Sequence, residues 1–145
     1  TPGVTFESPG RTVTEADIVN FAGLSGDFNA LHVDEEFARE TPYGKRIAHG
    51  MLVLSIVTGL SQQSGWFDGT VLGFLGLTGK FTGPTFAGDT IHAVFKVEQA
   101  KATRKPDRGV VVFAIVVANQ RGETVAETEW TVMMRRRTEP AGEAS

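Results

Sequence analysis

The run Met51–Leu60, M-L-V-L-S-I-V-T-G-L, constrains this chain more than any other segment. It is apolar on nearly every side of a helical wheel, and an element of that kind must be covered all round rather than laid on a surface. Periodicity alone would also allow a buried strand. The length available, roughly ten to fifteen residues without turn signals, decides for a helix. The rest of the chain must therefore wrap around it. At that length it falls short of the ~20 apolar residues a membrane span needs.

The sequence on either side differs in kind. Up to about Ser64 the signals are helical, and beyond Gly69 they are almost all strand. Val4 to Glu7 reads as a first strand with Pro9-Gly10 as its turn. Thr14 is an expected N-cap, followed by Glu15 and Asp17 where acidic side chains suit the helix dipole. Ile18, Phe21 and Ala22 lie at helical spacing, and Gly23 is the expected stop. A short helix is expected over Asp34 to Glu40, broken by Thr41-Pro42-Tyr43-Gly44. Later, Ile91, Ala93, Phe95 and Val97 alternate with polar residues, as in a half-buried strand. Val110 to Ala118 reads as a strand covered on both faces, and Gln120-Arg121-Gly122 as the turn into Thr124 to Met134. An earlier strand is expected over Val71 to Thr82. Antiparallel strands wrapping one apolar helix make a single α+β domain over residues 1–137. Residues 138–145 read as a polar, disordered tail.

The 145 residues suit one domain, and 41% apolar content is enough for its core. A net charge of −3 speaks against nucleic-acid binding. Thr1 to Gly10 lack the apolar region of a signal peptide, and no cysteine is available for disulfide or thiolate chemistry. A cytoplasmic protein without a membrane span is expected.

Gly26–Asp34, G-D-F-N-A-L-H-V-D, follows neither helical nor strand periodicity. It holds Asp27 and His32, side chains suited to exchanging protons near neutral pH, with Asn29 between them. The alternative is an Asx-turn at Asp27 or Asn29 beside a satisfied core histidine. His49-Gly50 precedes the apolar helix, whose first amides have no intrahelical acceptor. Without a Cβ, Gly50 lets a ligand oxygen approach its N–H; equally, it allows tight packing. His92 falls on the polar face of its strand and reads as a surface residue. With three histidines and no ligand spacing between them, no metal site is expected.

Taken together, G-D-F-N-A-L-H-V-D, I-A-H-G-M-L at Ile47–Leu52 and F-T-G-P-T-F-A-G-D at Phe81–Asp89 resemble the MaoC-like (R)-specific enoyl-CoA hydratases and dehydratases. The resemblance covers most of the chain and implies a hot-dog fold, an antiparallel sheet wrapped around one long helix. It implies reversible hydration of trans-2-enoyl thioesters to (R)-3-hydroxyacyl thioesters. Asp27 and His32 would form the catalytic pair. Asn29, Gly50 and Thr58 would be the substrate-side residues, with threonine where relatives commonly carry serine. No cofactor is implied. The expected substrate is an acyl-CoA or acyl-carrier-protein thioester, and the expected assembly a homodimer or higher homo-oligomer. Phe28, Leu31, Trp66, Phe74 and Leu75 are candidates to shape the pocket. Lys101, Arg104, Lys105 and Arg108 form one basic cluster and Arg135 to Arg137 another. Either suits the phosphates of coenzyme A, or is simply a solvated surface.

Two other readings compete. A hot-dog thioesterase usually carries its carboxylate on the central helix, and Met51 to Ser61 has no Asp or Glu. A non-catalytic binding or assembly subunit would not need the Asp27–His32 pair.

Overall fold

The computed structural model describes residues 1–137, and the expected tail over 138–145 lies outside the described residues. In chain order the elements are β1 (Thr5–Glu7), β2 (Arg11–Thr12), α1 (Glu15–Ser25), α2 (Ala30–Val33), α3 (Glu35–Arg39), α4 (Gly50–Gln63), β3 (Val71–Phe81), β4 (Thr90–Ala102), β5 (Arg108–Ala118) and β6 (Thr124–Arg135). The strands pair antiparallel in the order β1-β4-β5-β6-β3, with β2 also on β4. One face of this sheet curls over α4, the hot-dog arrangement of the α+β class.

The core follows from two periodicities meeting. Leu52, Val53, Ile56, Val57 and Leu60 of α4 are buried against Ile91, Phe95, Phe113, Ile115, Trp130 and Val132 from alternate strand positions. Each large apolar side chain so covered contributes about 1.5–3 kcal/mol.

Three expectations need correction. The helix α1 runs past Gly23 to Ser25 and ends at Gly26, whose φ of 78° is the left-handed cap and whose N–H bonds back to Ala22. Gly23 keeps a helical backbone and is simply exposed. At the start of α1 the expected Thr14 cap is present, reinforced by Asp17 bonding back to the Thr14 N–H. Secondly, α4 is not covered all round: Met51, Ser55, Thr58, Gly59 and Gln62 form an exposed stripe. Thirdly, β5 buries Phe113, Ile115 and Val117 on the helix side, while Val116 on its other face is exposed.

The edge strand β3 explains the open stripe. Leu77 lies across from Trp130, Phe74 from Val132 and Phe81 from Ala126, all buried partners on the helix side. Residues directly opposite share a face, so these three point toward α4. Yet Phe74, Leu77 and Phe81 are 47–53% exposed. The helix leaves this end of the sheet uncovered.

Candidate active site

The segment after α1 is built by short side chains that replace missing backbone partners. The Ser25 hydroxyl donates to the Phe21 carbonyl and accepts from the Asp27 N–H. Asp27 Oδ1 accepts from the Asn29 N–H at 3.2 Å, and Asn29 Oδ1 accepts from the Leu31 N–H at 3.0 Å, which caps α2. The Asx-turns entertained as the bland alternative are therefore real. They do not consume the pair, because Asp27 still has its second oxygen.

That oxygen, Oδ2, stands 4.0 Å from Nε2 of His32. The separation is too long for a hydrogen bond. It is close to the roughly 4–4.5 Å that one water spans when bonded to two groups at ~2.8 Å each. The other ring nitrogen of His32, Nδ1, lies 2.7 Å from the Ile47 carbonyl. A carbonyl can only accept, so Nδ1–H donates to it, and Nε2 is the ring nitrogen that faces Asp27. His32 is well covered and Asp27 half open, with side chains 11% and 53% exposed.

His49 ties the pair to the head of α4. It is buried, its ring stacks on His32 with centroids 3.8 Å apart, and Phe21 flanks it at 5.0 Å. Its Nε2–H donates to the backbone carbonyl of Asp27 at 3.0 Å, while its buried Nδ1 has no hydrogen-bond partner. Both members of the pair thus contact one imidazole. Sequence reading weighed His49 only as the neighbour of Gly50. Its place in A-H-G-M, directly before a buried helix, was the available signal.

Gly50 opens α4, whose N-terminus has no side-chain cap. A Cβ on Gly50 would lie 2.7 Å from the Phe81 ring, so only glycine fits beneath that ring as it stands. Gly50 therefore packs tightly, and it also borders open space at the start of α4. A recess of about 460 Å³ is lined by His32, Tyr43, Gly50, Met51, Phe81 and Thr85, among others. A second of about 330 Å³ is lined by Phe21, Asp27, His32, His49, Gly50 and Met51, among others. His32, Gly50 and Met51 border both. A small carbonyl compound lying there would meet a proton-exchanging pair on one side and helix N-terminal amides on the other.

The structure brings together Asp27, His32 and Gly50. It does not bring Asn29 or Thr58 to either recess. Asn29 shapes the loop. Thr58 sits two turns along α4 on the exposed stripe, with its hydroxyl donated to the Ser55 carbonyl. Phe28, Leu31, Trp66, Phe74 and Leu75, expected near the pocket, line neither recess; Trp66 stacks on Phe6 and Phe74 packs edge-on to Trp130. Tyr43, Phe81 and Thr85 take their place. Asp27, His32 and His49 do cluster closely enough to suggest a metal. Stacked rings send their in-plane lone pairs out nearly parallel, however, and one ion at ~2.1 Å from both nitrogens needs them to converge.

The resemblance seen in the motifs extends to the whole domain. Residues 1–119 match the family model described as the MaoC like domain, and the chain belongs to that family. It is 34% identical over 124 residues to an (R)-specific enoyl-CoA hydratase of Rhodospirillum rubrum, covering 86% of this chain and 81% of that one. It is 42% identical over 92 residues to Protein MaoC of Klebsiella aerogenes, a match that takes in 63% of this chain but only 27% of that longer protein. A solved structure described as a monoamine oxidase regulatory protein from Archaeoglobus fulgius superposes with a TM-score of 0.88 at 40% identity, covering 95% of this chain and 92% of its own. Among the described residues no helix is long and apolar enough to cross a membrane.

Proposed function

We propose that the protein hydrates trans-2-enoyl thioesters to (R)-3-hydroxyacyl thioesters, and catalyses the reverse dehydration. The observation that carries this reading is the 4.0 Å gap between Asp27 Oδ2 and His32 Nε2, opening beside the uncapped start of α4. The similarity to an (R)-specific enoyl-CoA hydratase over most of both chains supports it.

In this mechanism one water bridges the pair. His32, held with its Nδ1–H on Ile47, takes a proton from that water through Nε2 as the oxygen adds to C3 of the substrate. Negative charge moves to the thioester oxygen, where the Gly50 N–H receives it. The pair then returns a proton to C2, so one water is fully used and both residues end as they began. Groups on one side of the substrate give syn addition. Asn29 holds Asp27's loop in shape. Thr58 belongs to the wall of a tunnel that closes only when a second copy covers the exposed stripe of α4. A homodimer paired through β3 would do so, and would cover Phe74, Leu77 and Phe81.

Replacing Asp27 by Asn tests the reading. Asn keeps the Oδ1 acceptor of the turn and loses the Oδ2 charge, so the fold should survive. Hydration of crotonyl-CoA, followed by loss of enoyl absorbance, should fall by ~10² or more. Turnover near that of the wild type would remove Asp27 from the mechanism. Release of free thiol by the wild type would favour a thioesterase, and binding without either change a non-catalytic role.

A further inference from the structure

The strap between α3 and α4 leads into the proposed site without a helix or strand of its own over residues 46–49. Ile47 supplies the carbonyl that meets His32 Nδ1 at 2.7 Å, and Gly50 follows three residues later. An irregular strap keeps one course only where other groups take up its polar atoms. Here the ties are consecutive. Lys45 lies over the Phe86 ring, 4.4 Å from its centroid. The Ile47 N–H donates to the Leu31 carbonyl at 3.3 Å, and the Ala48 N–H to the Thr85 carbonyl at 2.7 Å. Between them Arg46 makes the charge-assisted connection. Its Nε donates to Glu35 of α3 at 2.6 Å and its Nη2 to Glu15 of α1 at 2.7 Å.

We propose that Arg46 is a positioning residue for His32: its fork on Glu15 and Glu35 places the Ile47 carbonyl, and that carbonyl places the imidazole. The kinetic consequences rest on the hydratase reading. Two bonds from one rigid guanidinium fix its plane as well as its position. Both carboxylates are exposed, and ion pairs open to solvent add little to stability. The larger consequence of the fork is geometric, because it joins the strap to α1 and α3 at once.

The path from the fork to the ring is one residue long. Ile47 follows Arg46 and clamps α2 twice, through its N–H on Leu31 and its carbonyl on His32. A carbonyl that drifts releases the Nδ1–H, and the ring is then free to turn Nε2 away from Asp27 Oδ2. Arg46 borders neither active-site recess. Its removal should therefore act on the rate and leave substrate affinity alone.

The test reads the ring and the rate separately. Long-range 1H–15N spectra at about pH 8, above the ordinary histidine range, report which ring nitrogen holds the proton, and His32→Gln assigns the signals. The wild type should show His32 protonated at Nδ1. In Arg46→Ala the two nitrogen shifts should move toward a mixture of tautomers. Its kcat for crotonyl-CoA should fall by on the order of 10², with KM within about twofold. Arg46→Lys keeps the charge without the fork and should recover only part of both. Glu15→Gln/Glu35→Gln removes the anions and leaves the arginine, so it carries the test even where Arg46→Ala fails to fold. It should reproduce the Arg46→Ala pattern, and the triple variant should lose nothing more. Arg39→Ala, which removes an exposed cation paired with Glu36 on α3, should change neither reading. Unmoved His32 shifts, a raised KM with kcat intact, or additive losses in the triple variant would overturn the proposal. A wild type whose His32 shifts depend on Arg46 but which hydrates no enoyl thioester would overturn the hydratase reading alone.

Discussion

The imidazoles of His32 and His49 lie face to face, 3.8 Å between centroids and 26° apart in plane. His49 also holds the Asp27 carbonyl through Nε2–H, so one buried ring contacts both members of the proposed pair. In the proposed mechanism it is a positioning residue. His49→Ala removes the stack and the hydrogen bond, and a displacement of about 1 Å in such a pair costs on the order of 10² in rate. The expected signature is a fall in kcat with KM little changed and the far-ultraviolet dichroism preserved. A variant with wild-type kcat would show that the loop holds Asp27 unaided.

The contact between Gly50 and Phe81 makes a second prediction, because the two explanations for this glycine can be separated. Gly50→Ala drives a methyl to 2.7 Å from the Phe81 ring. It should lower kcat/KM for an enoyl thioester by ~10², a loss of the size seen when an oxyanion donor is disabled. If the ring clash alone is responsible, Gly50→Ala/Phe81→Ala should regain most of that loss. If close approach of the thioester oxygen to the Gly50 N–H is what matters, the double variant stays impaired. The coupling between the two substitutions, measured as a double-mutant cycle, decides it.

Much of this was legible in the sequence, and the misses share a cause. The central helix was plain because covered apolar residues leave their mark on composition whatever packs on them. Its exposed stripe was not, since Met51 and Gly59 look no different facing solvent than facing a core. Asp27 and His32 stood out by residue type in an irregular stretch. The stack of His49 on His32 joins two segments 17 positions apart and has no local trace. The end of α1 went to Gly26 rather than Gly23 because only the former takes a positive φ, which composition cannot reveal. Aromatic residues were a poor guide to the pocket: Trp66 packs on Phe6 and Phe74 on Trp130. Phe81, overlooked, lies over Gly50.

Acid stability follows from two carboxylates away from the site. The guanidinium of Arg11 meets Asp17 with two hydrogen bonds, of 2.7 and 3.0 Å, and holds its carboxyl well below the usual range, helped by the Thr14 cap. For Asp89 burial pushes the other way. It is outweighed by the Phe86 N–H, the Gln120 amide and the Arg121 guanidinium, so this carboxyl is also lowered. Both groups have folded-state values below their unfolded ones, near 4. Their stabilisation is present above about pH 4 and is lost as pH falls through the folded values. Tm should therefore hold steady from about pH 7 to about 5 and drop steeply below about 4. Asp17→Asn should lower Tm at neutral pH, flatten the acid limb and converge with the wild type at the lowest pH. Parallel curves for the two proteins down to that pH would mean that Asp17 carries none of the acid sensitivity.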